Sequence, residues 1–346
     1  MPVRLPTLKP RRRPGRRPVT PATAYSPGPI ERGPRTGGPT RVSGPRSVAA
    51  RVEQFKQAAT IHRGWLRMAG MSVGVRLSRV PVPGRPLRHK LFHCLYGKVY
   101  PALPAAELEK PLADYRSVND LFTRGVPAAC RPVAEDFPGL LSPCDSTVQD
   151  RGTVSGGRIL TVKGDEYKLS TLCPRTDTAP FDGGRFGILF LSPRDCHRVF
   201  SPAAASLVAV THVPGRRLLV HPEHQTRRFP VFTLNERLVM ELDTAFGRCL
   251  VVMVAGWGVG RINHPFPVRY RRSKRKAVRT ELADPVPLDP GQWLATFQVG
   301  STVILVSEAD AAGTFLADPG DALNYGLPLI RCGEDGRDDE QPGRPR

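Results

Sequence analysis

From about residue 116 onward, short runs of apolar and β-branched residues alternate with glycine and proline. Runs of this kind, bounded by turn-forming residues, are typical of strands that pair in an antiparallel sheet. The pattern predicts an α+β fold in which an antiparallel, β-rich core occupies residues 116–335. The predicted strands lie within residues 158–164, 185–193, 206–215, 237–244, 249–262 and 301–308.

The last of these runs contains a glycine followed by a serine, Gly300 and Ser301, directly before the apolar stretch TVILV. The apolar stretch predicts a central, buried strand, so the Ser301 hydroxyl is expected to be buried and to need partners. Glycine weakens a strand and often marks a place where another group approaches the backbone. The Gly300–Ser301 bond is therefore either a structural irregularity or a bond that is broken.

A helical pattern precedes the strands, over residues 51–115. One predicted helix lies within residues 51–70. In a second, Leu87, Leu91, Leu95 and Val99 recur every four residues and suggest a packed stripe. We expect this region to be membrane-proximal. His89 and His93 share the second helix, but no third ligand is evident nearby, so a solvated face is favoured over a metal site.

The ends of the chain have a different composition. The first thirty residues hold seven Arg or Lys and no acid, with many prolines and glycines. Such a segment cannot bury a core, so residues 1–50 are expected to be a disordered basic arm, and residues 336–346 a disordered tail. An acid-free, arginine-rich amino terminus also resembles an organelle transit peptide. Composition alone leaves these alternatives open.

The formal net charge of +20 predicts an affinity for polyanions. A second basic run, residues 268–279, is either a solvated loop or a contact with anionic lipid headgroups. Nucleic acid is ranked last because no nucleic-acid motif accompanies the charge. No apolar run reaches the roughly 18 residues needed to span a bilayer. The seven cysteines show no CxxC spacing, which favours free thiols over a metal or redox motif.

The motif VGST around Gly300 and Ser301 resembles the self-cleavage motif of the phosphatidylserine decarboxylase family, whose members depend on a pyruvoyl group. Further segments resemble that family in the same order, over about residues 65–330. They are YRSVNDLFTRGVPAACRPV, LLSPCDSTV, TVKGDEYKLSTL, LFLSPRDCHRVFSPAAA, VPGRRLLV, FTLNERLVMELDTAFG and VAGWGVGRI.

The resemblance implies that the chain cuts itself between Gly300 and Ser301, leaving a large chain of residues 1–300 and a small chain of residues 301–346. Ser301 would become a pyruvoyl group, the covalent cofactor, which forms a Schiff base with the amine of phosphatidylserine. Loss of carbon dioxide would then give phosphatidylethanolamine. The resemblance implies no metal and no diffusible cofactor.

The family uses an aspartate, a histidine and the serine in self-cleavage, and Asp145 matches the aspartate. His197 matches the first of two family histidines, which is expected to assist decarboxylation. Phe200 stands where the second histidine, the relay base, is expected. Because phenylalanine cannot accept a proton, this departure weakens the expectation of efficient processing. Trp257, in place of a small or polar residue, could crowd the pocket.

Two functions follow from these residues. The first is a membrane-associated phosphatidylserine decarboxylase with Ser301, Asp145 and His197 as its catalytic residues. The second is an unprocessed, catalytically impaired paralogue that binds lipid. The expected partners are phosphatidylserine in an anionic membrane and the two chains of one precursor, which stay associated; a homodimer is left open. The mitochondrial inner membrane is favoured because of the acid-free arm, with a bacterial cell membrane as the alternative.

Overall fold

The fold is built around an eight-stranded antiparallel sheet, which confirms the expected α+β class. A computed structural model describes residues 73–99, 104–161, 166–220, 230–256, 262–266, 276–298, 301–309 and 313–333. Across the sheet the strands follow in the order β11 (Val278–Leu288), β7 (Ala205–Val213), β8 (Arg237–Thr244), β9 (Gly247–Ala255), β13 (Ser301–Ser307), β5 (Arg185–Leu191), β2 (Ser146–Thr153) and β15 (Ala322–Leu323).

The apolar strand β13 lies inside this sheet, between β9 and β5. Each of its residues is buried, as the composition of TVILV predicts. Side chains alternate between the two faces of a strand. Val303 and Leu305 point into one core, and Ile304 and Val306 into a second. We call the side with Val303 and Leu305 the front face and the other side the rear face.

Two three-stranded sheets contribute to the core on the front face. In the first, Val199, Phe297 and Ile262 pack into the front core. A two-stranded sheet contributes to the rear core. The first sheet contains β10 (Ile262–Asn263), β12 (Trp293–Phe297) and β6 (Arg198–Phe200); the second contains β1 (Gly139–Leu141), β16 (Pro328–Arg331) and β14 (Thr314–Phe315); the third contains β3 (Arg158–Leu160) and β4 (Glu166–Lys168).

The described helices are short apart from the first. They are α1 (Arg85–Val99), α2 (Val118–Phe122), α3 (Leu169–Leu172) and α4 (Val231–Leu234). A further helical stretch covers residues 73–77, and single 3-10 turns cover residues 105–107, 112–114, 128–130 and 179–181. At the start of α2, the Ser117 hydroxyl accepts a hydrogen bond from the Asp120 amide at 3.0 Å. This cap satisfies a helix amide that has no partner within the helix.

Arg237 ties α3 and α4 to the sheet from the rear face. Its guanidinium donates to the carbonyl oxygens of Thr171 and Leu172 at the end of α3, both at 2.6 Å. It also donates to Thr233 and Asn235 at the end of α4, both at 2.9 Å. Burial lowers the pKa of Arg237 to about 10, so the group stays charged at neutral pH. One cation therefore caps the carboxyl ends of two helices.

The predicted stripe on α1 is wrong. Leu87 and Leu91 are exposed, whereas Phe92 is fully buried and Leu95 is half-buried. A helix turns once every 3.6 residues, so positions four apart drift steadily around its surface and do not hold one face. Phe92 instead packs with Tyr115 and Leu121, which come later in the chain.

Among the described residues, no helix combines the length and the apolar character that crossing a bilayer requires. The predicted helix within residues 51–70, the basic arm, the tail, most of the basic run at 268–279, and Trp257 lie outside the described residues.

Candidate active site

Ser301 is the first residue of β13 and has one neighbour on each side in the sheet. Its partner on β9 is Ala255 and its partner on β5 is Leu191. Ser301 is fully buried, and its hydroxyl has no hydrogen-bond partner among the described residues. A buried hydroxyl without a partner is costly and calls for an explanation. Gly300, the other half of the expected cleavage site, lies outside the described residues.

The Ser301 side chain points to the front face. It lies two residues before Val303 on the same strand, and its neighbours Ala255 and Leu191 both belong to the front core. The three-stranded sheet that contains β6 packs on this face, and His197 directly precedes β6. The Phe297 amide of β12 donates to the His197 carbonyl at 2.9 Å, which anchors His197 to that sheet. The fold thus brings Ser301 and His197 to the same side of the central sheet.

The ring of His197 is completely buried and has one defined hydrogen bond. Its Nδ1 lies 2.9 Å from the carbonyl oxygen of Asp195. Because a carbonyl can only accept, Nδ1 must hold the proton and Nε2 the lone pair. Nε2 has no partner among the described residues. The ring of Phe122 lies 3.9 Å from that of His197, between centroids.

Burial lowers the pKa of His197 to about 3. A charged imidazole would have to leave water for an apolar site, and the nearby Arg124 disfavours the charge as well. His197 is therefore neutral at physiological pH. It offers a lone pair that can accept a proton or a hydrogen bond, but its basicity is low.

Asp145 is buried and held by a charged network. Arg131 donates three hydrogen bonds to the carboxylate, at 2.9–3.2 Å, and pairs with Glu107 at 2.8 Å. The main-chain amide of Tyr325 donates to the carboxylate at 2.9 Å. Burial alone lowers the pKa of Arg131, but its hydrogen bonds with Asp145 and Glu107 outweigh this and raise it above the usual value.

Phe200 lies beside the loop that holds Asp145. Its amide donates to the Pro143 carbonyl at 2.8 Å, and its ring stacks on that of Tyr325 with centroids 3.7 Å apart. Phe200 and Tyr325 share a small apolar cluster with Val126 and Cys196. An apolar ring thus occupies the position at which the family resemblance predicts a histidine as the relay base.

Asp145 and Ser301 lie at the same end of the central sheet. Thr147 of β2 pairs with Phe190 of β5, and the next β5 residue, Leu191, pairs with Ser301. Asp145 directly precedes β2, so it lies roughly two strand spacings, about 10 Å, from Ser301. Asp145, His197 and Ser301 are therefore gathered at one end of the sheet. Within the described residues no hydrogen bond joins any two of them.

Three features of this site were missed by the sequence analysis: the Arg131–Glu107 pair, the Tyr325 amide and the ring of Phe122. Arg131 lies inside the segment that resembles the family, which was a usable signal. Tyr325 follows Asp145 by 180 residues, and nothing in the local sequence connects the two. Over the part of the chain that the structure describes, no group of His, Cys, Asp or Glu could hold a metal ion. All seven cysteines are free thiols.

The sequence of the chain is similar to those of known proteins. The family model described as phosphatidylserine decarboxylase matches residues 118–331. A relative named "phosphatidylserine decarboxylase proenzyme" from Anaeromyxobacter sp. (strain K) is 33% identical over 260 residues, covering 72% of this chain and 89% of the relative. A relative of the same name from Halorhodospira halophila (strain DSM 244 / SL1) is 36% identical over 258 residues, covering 75% and 85%.

A third relative of that name, from Bordetella avium (strain 197N), is 36% identical over 205 residues, covering 58% of this chain and 69% of the relative. The match to the family model spans the strands that form the site, from β2 to β13. The chain accordingly belongs to the phosphatidylserine decarboxylase family.

Proposed function

We propose that this chain is a phosphatidylserine decarboxylase that cuts its own backbone between Gly300 and Ser301. The proposal depends chiefly on the buried, unpartnered hydroxyl of Ser301 at the start of β13. A hydroxyl kept free of hydrogen bonds beside a glycine peptide is available as a nucleophile. The relatives are named proenzymes, a name for precursors that are processed.

Self-cleavage begins when the Ser301 oxygen attacks the Gly300 carbonyl carbon. The bond from that carbon to the Ser301 nitrogen breaks, and an ester to the serine oxygen forms. Loss of the Cα proton then expels the Gly300 carboxylate and leaves dehydroalanine at residue 301. Addition of water and release of ammonia give the pyruvoyl group. The neutral Nε2 of His197, on the front face with Ser301, is the acceptor we assign to the hydroxyl proton.

Asp145 contributes a fixed negative charge to the same end of the sheet. Its carboxylate is locked by Arg131 and by the Tyr325 amide, so it is held in place before any step occurs. Preorganised charge of this kind stabilises a transition state without reorganisation cost. Since no hydrogen bond joins Asp145 to His197 among the described residues, we assign it an electrostatic role.

The pyruvoyl group would supply an electron sink for decarboxylation. The chain provides the surroundings: the buried ring of Phe122 against His197 excludes water from this end of the front face. An apolar setting disfavours a carboxylate relative to neutral carbon dioxide. His197, neutral in this setting, is placed to handle the proton that replaces the carboxylate.

We further propose that the protein works at the surface of an anionic membrane. Helix α1 has four Arg or Lys and no acid, and its Leu87 and Leu91 are exposed. Basic and apolar groups together favour anionic lipid. The bacterial relatives favour a bacterial cell membrane, with the mitochondrial inner membrane as the alternative. After cleavage the two chains would remain associated through the strands on either side of β13.

A second candidate function follows from Phe200. The apolar stack of Phe200 on Tyr325 leaves no titratable side chain at that position. This favours a chain that keeps the lipid-binding fold but is processed slowly or not at all.

Denaturing electrophoresis and mass spectrometry of the purified chain distinguish the two functions. Self-processing predicts a small chain that begins at residue 301 and has the mass of an amino-terminal pyruvoyl group. Ser301→Ala, the matched control, should stay in one piece. An uncut chain that also releases no carbon dioxide from phosphatidylserine would rule out the decarboxylase and leave the lipid-binding protein.

A further inference from the structure

One row of residues crosses the central sheet through Ser301. Ala255 of β9 and Leu191 of β5 pair with Ser301 on either side. The Ala255 amide donates to the carbonyl oxygen of Glu236, at 2.9 Å, just before β8 begins. Glu236, Ala255, Ser301 and Leu191 therefore lie side by side. Neighbouring strands are about 4.8 Å apart, so Glu236 and Ser301 are separated by roughly 10 Å between Cα atoms.

The side chain of Glu236 points to the front face, as Ser301 does. Glu236 lies two residues before Leu238, which belongs to the front core, and alternate residues of a strand share a face. His212, which bonds Glu236, lies two residues after Val210 of the same core. In this row, the only side chain between the Glu236 carboxylate and the Ser301 hydroxyl is the methyl group of Ala255.

The carboxylate of Glu236 is held rigidly. His212 Nε2 lies 3.0 Å from one oxygen, and Arg217 donates two hydrogen bonds to the other, at 2.8 and 3.1 Å. The Glu236 side chain is only 13% exposed. Burial removes hydration from this carboxylate, and the hydrogen bonds from His212 and Arg217 offset the cost.

The backbone of the row is fixed by the preceding residue. The Asn235 side-chain amide donates to the carbonyl oxygens of Ala255 and Leu218, both at 2.9 Å, and its oxygen accepts from the Leu218 amide at 2.9 Å. Both main-chain groups of Ala255 are thus bonded to the Asn235–Glu236 pair. The distance between Glu236 and Ser301 is consequently set by the sheet and not by a loop.

We propose that Glu236 is a specificity-determining residue that binds the ammonium group of the lipid headgroup; this inference rests on the proposed function. The amine that reacts at residue 301 is protonated at neutral pH, and the face around Ser301 is apolar, with Ala255 and Leu191 beside it. A carboxylate on that face compensates the charge and selects a headgroup with an amine. The unpartnered Ser301 hydroxyl lies on the same face of the sheet, and the unpartnered His197 Nε2 belongs to a residue on that side.

The same strand offers a matched control. Glu241 of β8 is also a mostly buried carboxylate in an ion pair, with Arg279 at 2.8 Å. Glu241 lies five residues after Glu236, and because side chains alternate along a strand, it points to the rear face. There its carboxylate accepts a hydrogen bond from the Thr176 hydroxyl at 2.9 Å. Glu236→Gln and Glu241→Gln remove the same charge from opposite sides of one strand.

Binding is measured by calorimetry in the full chain with Ser301→Ala, which removes any covalent reaction at residue 301. The probes are a short-chain, water-soluble phosphatidylethanolamine and its N-acetyl derivative, which lacks the positive charge. We expect the free amine to bind about tenfold more tightly than the derivative. Glu236→Gln should abolish this preference, and Glu241→Gln should keep it.

A second variant keeps the test decisive if Glu236→Gln does not fold. Arg217→Met removes the cation beside Glu236, and Arg217 is 40% exposed at its side chain, so the change should be tolerated. The preference for the free amine should then rise. Equal binding of the two probes by the Ser301→Ala chain, no binding of either, or a preference unaffected by Glu236→Gln would overturn the inference. These binding measurements do not require self-cleavage. A failure of this inference can therefore be distinguished from a failure of the proposed function.

Discussion

The ring of Phe200 stacks on the ring of Tyr325, with centroids 3.7 Å apart and planes 17° from parallel. Tyr325 in turn donates its main-chain amide to the carboxylate of Asp145 at 2.9 Å. Position 200 is therefore adjacent to the Asp145 loop, although Asp145 itself is bonded to Arg131. A base introduced at this position would be next to a fixed carboxylate.

Phe200→His should accelerate self-cleavage. A general base contributes on the order of 10²–10⁴-fold to a rate, so we expect at least a tenfold gain. The rate is measured as the appearance of the small chain on denaturing gels after cell-free synthesis. Phe200→Leu, which keeps an apolar side chain without a base, is the control. Equal rates for the two variants would show that position 200 does not govern the reaction.

Arg131→Met should destabilise the fold strongly. It leaves the buried Asp145 carboxylate without its cation, and breaking a buried ion pair in this way costs about 3–5 kcal/mol. Urea unfolding measures the loss. The control is Arg198→Met, because Arg198 pairs with Glu109 nearer the surface and should cost about 1 kcal/mol or less. Adding Asp145→Asn to Arg131→Met should recover part of the loss; a further loss would contradict the assigned pairing.

Stability should fall as the pH drops below 6.5, partly because of His197. Its pKa is lowered to about 3 in the folded chain, from 6.5 when unfolded, so between these values the unfolded chain binds more protons. The loss is about 1.4 kcal/mol per pH unit in that window. His197→Gln should flatten the curve between pH 6.5 and 5, measured by urea unfolding.

The comparison variant for this pH effect is His264→Gln. Burial also lowers the pKa of His264, so it acts in the same direction, but its ring is less buried. It should flatten the curve less than His197→Gln does. An unchanged slope in His197→Gln would mean that the imidazole is already solvated in the folded state.

Arg237→Met should cost roughly 3 kcal/mol or more, because four carbonyl oxygens at the ends of α3 and α4 lose their donor together, and the hydrogen bonds to Leu172 and Asn235 are buried. Arg237→Lys should fall between the wild type and Arg237→Met, since an ammonium offers fewer donors in a less suitable geometry. Chemical unfolding at neutral pH gives the values. Arg248→Met, which removes a 41%-exposed partner of Glu308, should cost far less. Similar losses at Arg237 and Arg248 would argue against the helix-capping role.

The sheet could be predicted from the sequence because its signal is local. Alternation, β-branched residues and bounding glycines and prolines mark each strand, and the apolar composition of TVILV placed β13 inside the sheet. The stripe on α1 failed for the opposite reason. Phe92 is buried by Tyr115 and Leu121, and a four-residue spacing inside one helix gives no information about those later partners.

The candidate site was only partly predictable. Ser301, Asp145 and His197 were named from motifs, and they do lie at one end of the sheet. Their hydrogen-bond partners were not foreseen, because Asp145 is held from positions as far apart as Arg131 and Tyr325. Glu236 was likewise unnoticed as a neighbour of Ser301, since the row that joins them exists only after β8, β9 and β13 have paired.

The position of β13 between β9 and β5 determines whether the protein would stay folded after its backbone is cut. A cut directly before Ser301 would remove one covalent link at the rim of the sheet and leave the interstrand hydrogen bonds along both flanks intact. The fragment that starts there could not escape unless the sheet itself melted. Its new amino terminus would be held by β9 on one side and β5 on the other. Such a position suits a reactive group that must keep one orientation through many turnovers.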